Sequence, residues 1–252
     1  QDRIRASMPD ITPAVRADLA PTGKLRVGIN YGNFILAQKD KTTGESRGVA
    51  VDLANDIGRR LGVPVAIVAF DSVAALGDAA PANVWDIAFL GSDPQREKIM
   101  GFTPAYLELN ATYLVPGASA LKNAAEVDRA GLRVAAPARA NYELYLQRNL
   151  KNAKLLSVAG NDAAFALLAE DKADALAGLT EALINMSAKL PGSRLVEGRF
   201  MAVQQSIAVP KGKDAGLAYL RVVVEDAKTS GLVARAIEKT GARGVAVAPL
   251  AN

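Results

Sequence analysis

Arg96 is the residue whose setting most suggests chemistry, because it follows a turn at the end of an apolar segment. Ile87–Leu90 is a short apolar run of the kind found in buried strands, and it stops at a Gly-Ser-Asp-Pro sequence. Asp93 is a favoured N-cap residue, and Pro94 suits the first helical position. We therefore expect a strand, a turn and a first helical turn that carries Arg96.

A cation in this position is suited to binding an anion. The free backbone N–H groups of the expected turn and the Arg96 guanidinium would point to one side of a cleft, where a carboxylate gains charge-assisted hydrogen bonds. The alternative is a solvated Arg96 that pairs with Glu97 or Glu108. The segment by itself leaves both interpretations open.

The composition removes several classes of chemistry. The 252 residues include no Cys and no His. This excludes a thiol nucleophile, a disulfide framework, a His-based triad and a histidine-cysteine metal site. We accordingly expect no metal and no cofactor. Hydrophobic residues make up 50% of the chain and charged residues 22%, which predicts a folded, soluble protein of one large or two modest domains.

The net charge of +4 is spread along the chain, since 30 Lys and Arg oppose 26 Asp and Glu without an aromatic-basic stripe. This pattern disfavours nucleic-acid binding. No apolar run approaches the roughly 20 residues of a membrane-spanning helix, and no secretory leader is evident. Because the chain begins with Gln1 rather than Met, we expect a processed or trimmed form. An exported, periplasmic protein without its signal peptide fits this expectation.

Strand-like and helix-like segments alternate along the chain. In the first half, strands at Lys24–Ile29 and Val63–Phe70 flank an amphipathic helix that Gly62 ends. The second half repeats the order, with a strand at Gly131–Ala136 and a helix at Asn141–Asn149. This alternation predicts an α/β protein with parallel sheets, which bind ligands beyond the carboxyl ends of their strands. Two such units in tandem predict a cleft between two lobes.

Six short motifs occur in one order between residue 24 and about residue 240. They are Leu25-Arg26-Val27-Gly28, Gly48-Val49-Ala50-Val51-Asp52-Leu53-Ala54, Trp85-Asp86-Ile87-Ala88, Pro94-Gln95-Arg96, Phe102-Thr103-Pro104-Ala105-Tyr106 and Ile207-Ala208-Val209-Pro210-Lys211-Gly212. Together they resemble the family 3, polar-amino-acid type solute-binding proteins of bacterial ABC transporters. The resemblance implies the two-lobed periplasmic-binding-protein type II fold, with a ligand cleft between the lobes.

The resemblance also implies a domain plan in which the first lobe is discontinuous. The two crossing segments are expected near Glu108–Tyr113 and Phe200–Gln205. Residues 1–23 then form an N-terminal extension with a short helix that Thr12-Pro13 opens, and 24–109 form the first part of lobe 1. Lobe 2 covers 110–205, and 206–252 return to lobe 1 and end in a C-terminal tail.

In such proteins an arginine after the turn binds the α-carboxylate of the ligand, and the matching position is Arg96. A helix N-terminus of the second lobe usually completes that site, which carries over to Arg139, Ala140 and Asn141. Backbone N–H groups would act there whatever the side chains are. For Arg139, a role as an exposed turn residue is nearly as well supported as contact with the ligand.

Two departures from the family pattern concern the ligand's α-amine. The hydroxyl position before the arginine falls on Gly91, and the acidic position after the second-lobe strand falls on Leu179. Ser92 offers a neighbouring hydroxyl, and Glu181 replaces the acid if the segment contains a two-residue shift. Otherwise Glu181 is a first-turn helix residue that the helix dipole favours.

The aromatic clamp of the family is also replaced, because its two loop positions read Asn33 and Ser72. Tyr31 and Phe34 lie beside the first position and Phe70 beside the second, although most aromatics of this chain are needed for packing. The pair Gln204-Gln205 at the second crossing is unusual before a strand, and a cleft-facing role is preferred to a solvent-facing hinge. The complete set predicted to bind the ligand is Leu90, Gly91, Ser92, Arg96, Tyr31, Asn33, Phe34, Phe70, Ser72, Arg139, Ala140, Asn141, Thr180, Glu181, Gln204 and Gln205.

The predicted function is an extracytoplasmic, monomeric protein that closes on a small carboxylate-bearing solute and presents it to a membrane permease. The solute is an amino acid or a related organic acid, and no catalysis is expected. One alternative is an enzyme, because cyclohexadienyl dehydratases resemble the same fold and Glu181 or Glu108 would serve as general acid. A sensory ligand-binding domain is the other alternative.

Overall fold

The computed structural model describes residues 8–31 and 33–251. These residues form two compact units. Unit 1 contains the residues up to Glu108, Gln204–Ala242 and the residues from Ala246 onward, and unit 2 contains Leu109–Val203 and Arg243–Val245. The first seven residues of the predicted extension, and Gly32 in the loop after the first strand, lie outside the described residues.

Helices and strands alternate as the sequence predicts. The helices are α1 Pro13–Leu19, α2 Val49–Leu61, α3 Val73–Asp78, α4 Asn141–Asn149, α5 Asn161–Ala169, α6 Thr180–Ser187, α7 Asp214–Thr229 and α8 Leu232–Thr240. The strands are β1 Leu25–Asn30, β2 Gln38–Lys39, β3 Ser46–Arg47, β4 Val65–Phe70, β5 Ile87–Leu90, β6 Met100–Phe102, β7 Leu107–Val115, β8 Arg133–Pro137, β9 Lys154–Val158, β10 Ala175–Leu179, β11 Arg194–Leu195, β12 Met201–Pro210 and β13 Val245–Val247. Within the described part of the chain, no helix is long and apolar enough to cross a membrane.

The sheet of unit 1 has the order β4-β1-β5-β12, and β6 also pairs with β12. The strands β4, β1 and β5 are parallel, with Asn30 at the end of β1 opposite Phe70 at the end of β4. β12 runs antiparallel to β5 and places Ser206 opposite Leu90. The carboxyl ends of three strands and the approach to β12 therefore meet at one edge, which we call the unit 1 edge.

The helix α2 shows why the sequence pattern succeeds in unit 1. Its apolar positions at intervals of four, Val49 to Leu61, are buried. The helix ends at Gly62, whose φ of 70° is the left-handed conformation that glycine adopts at low cost. The Gly62 N–H donates to the carbonyls of Gly58 and Arg59 and so satisfies the last turn.

The helix α1 in the predicted extension is packed against unit 1. Its apolar residues Val15 and Leu19 are buried. The Arg16 guanidinium donates to the Leu61 carbonyl at 2.8 Å, and the Gly216 N–H at the start of α7 donates to the Asp18 carboxylate at 2.8 Å. A side chain at Gly216 would meet Asp18 Cβ at 2.8 Å, so the two helices approach at a point where only glycine fits.

The sheet of unit 2 has the order β7-β10-β8-β9, and β11 pairs with β7. The strands β10, β8 and β9 are parallel, and β7 is antiparallel to β10. The loops that follow β8 and β10 consequently leave the sheet on the same side. We call this side the unit 2 edge.

In each unit an arginine-aspartate pair joins two parallel strands at their amino ends. In unit 1, Arg26 Nη2 lies 2.8 Å from Asp86 Oδ1, and both Nε and the backbone N–H of Arg26 donate to Asp86 Oδ2 at 3.1 and 2.8 Å. The Asp86 N–H donates back to the Arg26 carbonyl at 2.8 Å. The side chain of Asp86 is only 3% exposed, so one buried charge satisfies three donors of β1.

Unit 2 repeats the same arrangement with Arg133 on β8 and Asp174 before β10. The corresponding distances are 3.2 Å for Nη2 to Oδ1, 3.1 Å for Nε to Oδ2 and 2.8 Å for the backbone N–H. The residues three positions before the two aspartates, Asn83 and Asp171, both have left-handed backbone with φ of 56° and 58°. Each unit therefore fixes the register of its central strands with one repeated device.

The two pairs differ in exposure, and we expect their contributions to stability to differ accordingly. Asp86→Ala should lower the free energy of unfolding by about 3–5 kcal/mol, because it leaves the Arg26 guanidinium without its buried partner. Asp174→Ala should cost about 1–2 kcal/mol, because Arg133 and Asp174 are 39% and 30% exposed. Urea denaturation of both variants measures the loss of unfolding free energy. Equal losses in Asp86→Ala and Asp174→Ala would contradict the prediction.

The Arg133–Asp174 pair should also make stability depend on pH. The Arg133 hydrogen bond keeps the pKa of Asp174 below its usual range. A carboxyl group with a lowered folded pKa stabilises the fold above its unfolded pKa of about 3.9, and this stability is lost as the pH falls through the folded pKa. The difference in unfolding free energy between wild type and Asp174→Asn should therefore be constant near neutral pH and shrink below about pH 4. A difference that persists unchanged in acid would refute this, and Asp162→Asn serves as the exposed control.

Candidate functional site

The unit 1 edge collects most of the predicted ligand-binding residues. Tyr31 and Asn33 follow β1, Phe70 and Ser72 lie at the end of β4, and Leu90 ends β5. Gly91, Ser92 and Arg96 continue from β5, and Gln204 and Gln205 precede the part of β12 that pairs with Leu90. Parallel pairing of the strands is the reason why residues so distant in the chain reach one edge.

Arg96 is the buried cation of this edge. Its Nη1 donates to the Gly91 carbonyl at 2.7 Å, and its Nε lies 3.2 Å from Asp93 Oδ2. The side chain is 16% exposed, and burial lowers the pKa of the guanidinium. Among the described residues, Nη2 has no hydrogen-bond partner. The arginine is therefore positioned by the turn that precedes it, and the N–H groups of its Nη2 can still donate.

The structure corrects two expectations about this turn. The segment after Asp93 forms a turn and a three-residue 3-10 helix, Arg96–Lys98, rather than the start of an α-helix. The N–H groups of Gln95 and Arg96 are not free, because both donate to Asp93 Oδ1, at 2.8 and 3.0 Å. The ionic partner of Arg96 is Asp93, instead of Glu97 or Glu108. Anion binding at this turn therefore depends on the guanidinium.

The aromatic and polar side chains around Arg96 have partners of their own. The Tyr31 hydroxyl hydrogen-bonds to Ser46, and Lys39 Nζ lies 5.6 Å from the centre of its ring. Asn33 and Ser72 accept backbone N–H groups within their own turns. The polar side chains of Asn33 and Ser72 therefore stabilise the turns in which they lie, which explains their residue types without a ligand.

The two phenylalanines of the edge differ in exposure. Phe70 is partly buried and packs against the cluster that contains Leu76 and Trp85. Phe34 is 43% exposed, which makes it the aromatic ring of this edge that is most open to a ligand.

The glutamine pair before β12 divides into an outer and an inner residue. Gln204 is exposed, and its amide donates to Glu108 Oε1 at 3.0 Å. Gln205 is buried at 7% exposure, and its carbonyl accepts the Tyr106 N–H at 2.9 Å. The side-chain amide of Gln204, the exposed residue of the pair, therefore has a protein partner in Glu108.

The unit 2 edge begins at the turn between β8 and α4. Arg139 has a φ of 69°, an unfavourable conformation for a residue with a side chain. Its N–H donates to Glu143 Oε2 at 3.2 Å, while Glu143 Oε1 accepts from Gln147 at 2.7 Å and Ser157 at 2.6 Å. Glu143 is fully buried. Its carboxylate therefore holds the turn by accepting the Arg139 N–H.

The helix α4 starts from this turn without a capping side chain. Ala140 is the N-cap residue and makes no side-chain hydrogen bond, and Asn141 opens the nine-residue helix. The first N–H groups of a helix need an acceptor, and a side-chain cap is their usual partner. The start of α4 is therefore a place where an anion would be stabilised.

The second loop of the unit 2 edge joins β10 to α6. Leu179 ends the strand, and the Thr180 hydroxyl donates to the Asn110 carbonyl at 3.1 Å. Glu181 Oε2 accepts the Arg243 N–H at 3.0 Å and lies 3.5 Å from Arg243 Nε. The Glu181 carboxylate, the candidate partner of a ligand amine, therefore has a cation beside it.

Three residues of the two edges were missed or misjudged from the sequence. Asp93 was recognised as a cap but not as the ionic partner of Arg96. Glu143 is visible only as an acid in the first turn of a predicted helix, which is the common dipole arrangement. Arg243 lies 62 positions beyond Glu181, and no local pattern connects them. Within the described residues, no cluster of His, Cys, Asp or Glu could bind a metal ion.

Comparison with known proteins identifies relatives of the chain. Residues 25–242 match the family model of bacterial extracellular solute-binding proteins, family 3. No curated protein sequence matches the chain.

Solved structures share the fold over most of its length. A protein from Wolinella succinogenes described as a binding component of an ABC transporter, complexed with lysine, has a TM-score of 0.70 and 22% identity, covering 86% of this chain and 95% of that one. An amino acid ABC transporter substrate-binding protein from Streptococcus pneumoniae, bound to L-arginine, has a TM-score of 0.68 and 20% identity, covering 88% and 95%. An ancestral amino acid-binding protein, a precursor of cyclohexadienyl dehydratase, has a TM-score of 0.68 and 24% identity, covering 88% of this chain and 96% of that one. The predicted two-lobed type II fold is thereby confirmed.

The buried carboxylate of Glu143 gives a prediction for the unit 2 edge. Glu143→Gln should lower the free energy of unfolding by about 1–3 kcal/mol, because an amide N–H2 group replaces one of the two oxygens that together accept three donors. Glu170→Gln, at an exposed glutamate, should change it by less than about 0.5 kcal/mol. Equal stabilities of the two variants in urea denaturation would show that the Glu143 network contributes nothing.

Proposed function

Because the chain belongs to the bacterial extracellular solute-binding proteins, family 3, we propose that it is the extracytoplasmic binding protein of an ABC importer and that its solute carries a carboxylate. Binding a solute is the role of this family, and the proposal concerns which solute and which residues. The observation on which it depends is the buried guanidinium of Arg96, which the Gly91 carbonyl and Asp93 position at the unit 1 edge.

A carboxylate is the group that this guanidinium fits best. A planar fork of N–H donors matches two carboxylate oxygens, and burial strengthens the hydrogen bonds. Asp93 neutralises part of the charge, but it contacts Nε and leaves Nη2 able to donate. The uncapped start of α4 supports the proposal independently, because it offers backbone N–H groups to an anion at the unit 2 edge.

The ligands of two solved relatives support a small solute. Two of them are complexed with single amino acids, lysine and arginine. We accordingly propose a small solute of amino-acid size, held by the edges of both lobes. Contacts with both lobes would favour a closed form, and that form would be presented to a membrane permease from the periplasmic side.

Binding without catalysis agrees better with the residues than the dehydratase alternative does. An acid catalyst needs a carboxyl group directed at the substrate and a second group that works with it. Glu181 is bonded to Arg243, and Glu108 accepts from Gln204. The ancestral relative is itself described as an amino acid-binding protein.

The proposal predicts that Arg96→Ala weakens solute binding by at least about tenfold, since a hydrogen bond to a charged group contributes roughly 1.5–3 kcal/mol. Arg96→Lys should restore only part of the affinity, because it keeps the charge and loses the fork. The solute is first found by a thermal-shift screen of amino acids and small organic acids, and affinities are then measured by calorimetry.

Arg59→Ala, at an arginine that is 70% exposed on α2, is the matched control and should bind as wild type does. Wild-type affinity in a folded Arg96→Ala variant would show that Arg96 is not the anchor. Release of phenylpyruvate from prephenate, or of phenylalanine from arogenate, would identify an enzyme instead.

A further inference from the structure

Residues 243–245 form a short strap on unit 2, separated in sequence from the rest of that unit. The Gly244 carbonyl accepts the Asn110 N–H at 2.8 Å. A side chain at Gly244 would place its Cβ 2.4 Å from Thr180 Cβ, and its φ of 70° also favours glycine. The strap therefore lies directly against the loop that joins β10 to α6, in a position that only glycine permits.

The position of this strap brings Arg243 into contact with Glu181. The Arg243 N–H donates to Glu181 Oε2 at 3.0 Å, and Nε of the same residue lies 3.5 Å from that oxygen. The Glu181 side chain is 16% exposed and the Arg243 side chain is 63% exposed. The carboxylate is thus largely covered, while the guanidinium extends into solvent beside it.

The charges of the unit 2 edge follow from this contact. Of the acidic residues in the loops after β8 and β10, Glu143 is buried and accepts three donors, and Glu181 accepts from Arg243. Leu179 is apolar. Arg139 and Arg243 contribute cations at the same edge. In the segments that follow β8 and β10, each of these two carboxylates therefore already has a protein donor.

We propose that Arg243 is a specificity-determining residue, whose guanidinium offsets the charge of the Glu181 carboxylate and thereby selects a small organic acid without an α-ammonium group. The inference rests on the proposed function, because it names the class of solute for the same site. An ammonium ion that leaves water is stabilised best by a carboxylate, and here it would have to compete with the cation of Arg243 for Glu181. A hydroxyl or oxo group at that position does not need a carboxylate. The positive charge of Arg243 then disfavours the amino acid relative to the hydroxy or oxo acid.

The test uses pairs of acids that differ in the α-substituent alone. L-Leucine, L-glutamate and L-arginine are each compared with the 2-hydroxy acid of the same side chain, by calorimetry on the full chain. Wild type should bind the hydroxy acid of its preferred pair at least about tenfold more tightly than the amino acid. Arg243→Gln should lower this ratio at least about fivefold, because it removes the guanidinium charge beside Glu181, while the backbone N–H of residue 243 still donates to that carboxylate. In Arg243→Gln combined with Glu181→Gln, the ratio should return toward that of wild type.

Arg148→Gln, at an exposed arginine of α4, is the control and should leave the ratio unchanged. If Arg243→Gln weakens both members of a pair equally, the strap has only a structural role and the inference is wrong. A wild-type preference for the amino acid would also overturn it and leave the proposed function standing. If wild type binds neither member of any pair, the proposed function fails and this inference fails with it.

Discussion

The arginine-aspartate pair at the amino ends of the parallel strands is the interaction on which both candidate edges depend. In unit 1 it joins β1 to β5 through Arg26 and Asp86, and in unit 2 it joins β8 to β10 through Arg133 and Asp174. Each pair fixes the register of two strands at one end of a sheet. The loops at the opposite end, which contain the proposed binding residues, are then positioned by strand length.

The two edges use charge in different ways. At the unit 1 edge, Arg96 is buried and only partly neutralised by Asp93, so it remains able to donate to an anion. At the unit 2 edge, Glu181 is covered by Arg243, and the buried carboxylate of Glu143 is satisfied by donors of the same unit. At the unit 2 edge an ammonium ion would therefore have to compete with protein donors for Glu143 and Glu181, whereas Arg96 at the unit 1 edge can still donate to an anion.

The architecture was predictable where local pattern decides it. The strand Ile87–Leu90, the helix Asn141–Asn149 and the Gly62 cap follow from apolar spacing and backbone preference, and the structure has them. The turn after Asp93 is predicted as a helix start, and the aspartate does cap the N–H groups of Gln95 and Arg96, but the segment continues only as the 3-10 helix Arg96–Lys98. The pairs Arg26–Asp86, Arg133–Asp174 and Glu181–Arg243 are separated by 60, 41 and 62 positions. Single-sequence patterns do not reach across such distances, so the ionic partners of the candidate site required the structure.

The most direct measurement of the central claim is a crystal structure of the protein purified without refolding, with the solute it retains. The account predicts a planar carboxylate within about 3 Å of the Arg96 guanidinium nitrogens. It also predicts that Gly91 and Asp93 keep their contacts with Arg96. A solute whose carboxylate lies elsewhere, with Arg96 bonded to Gly91 and Asp93 alone, would contradict the account.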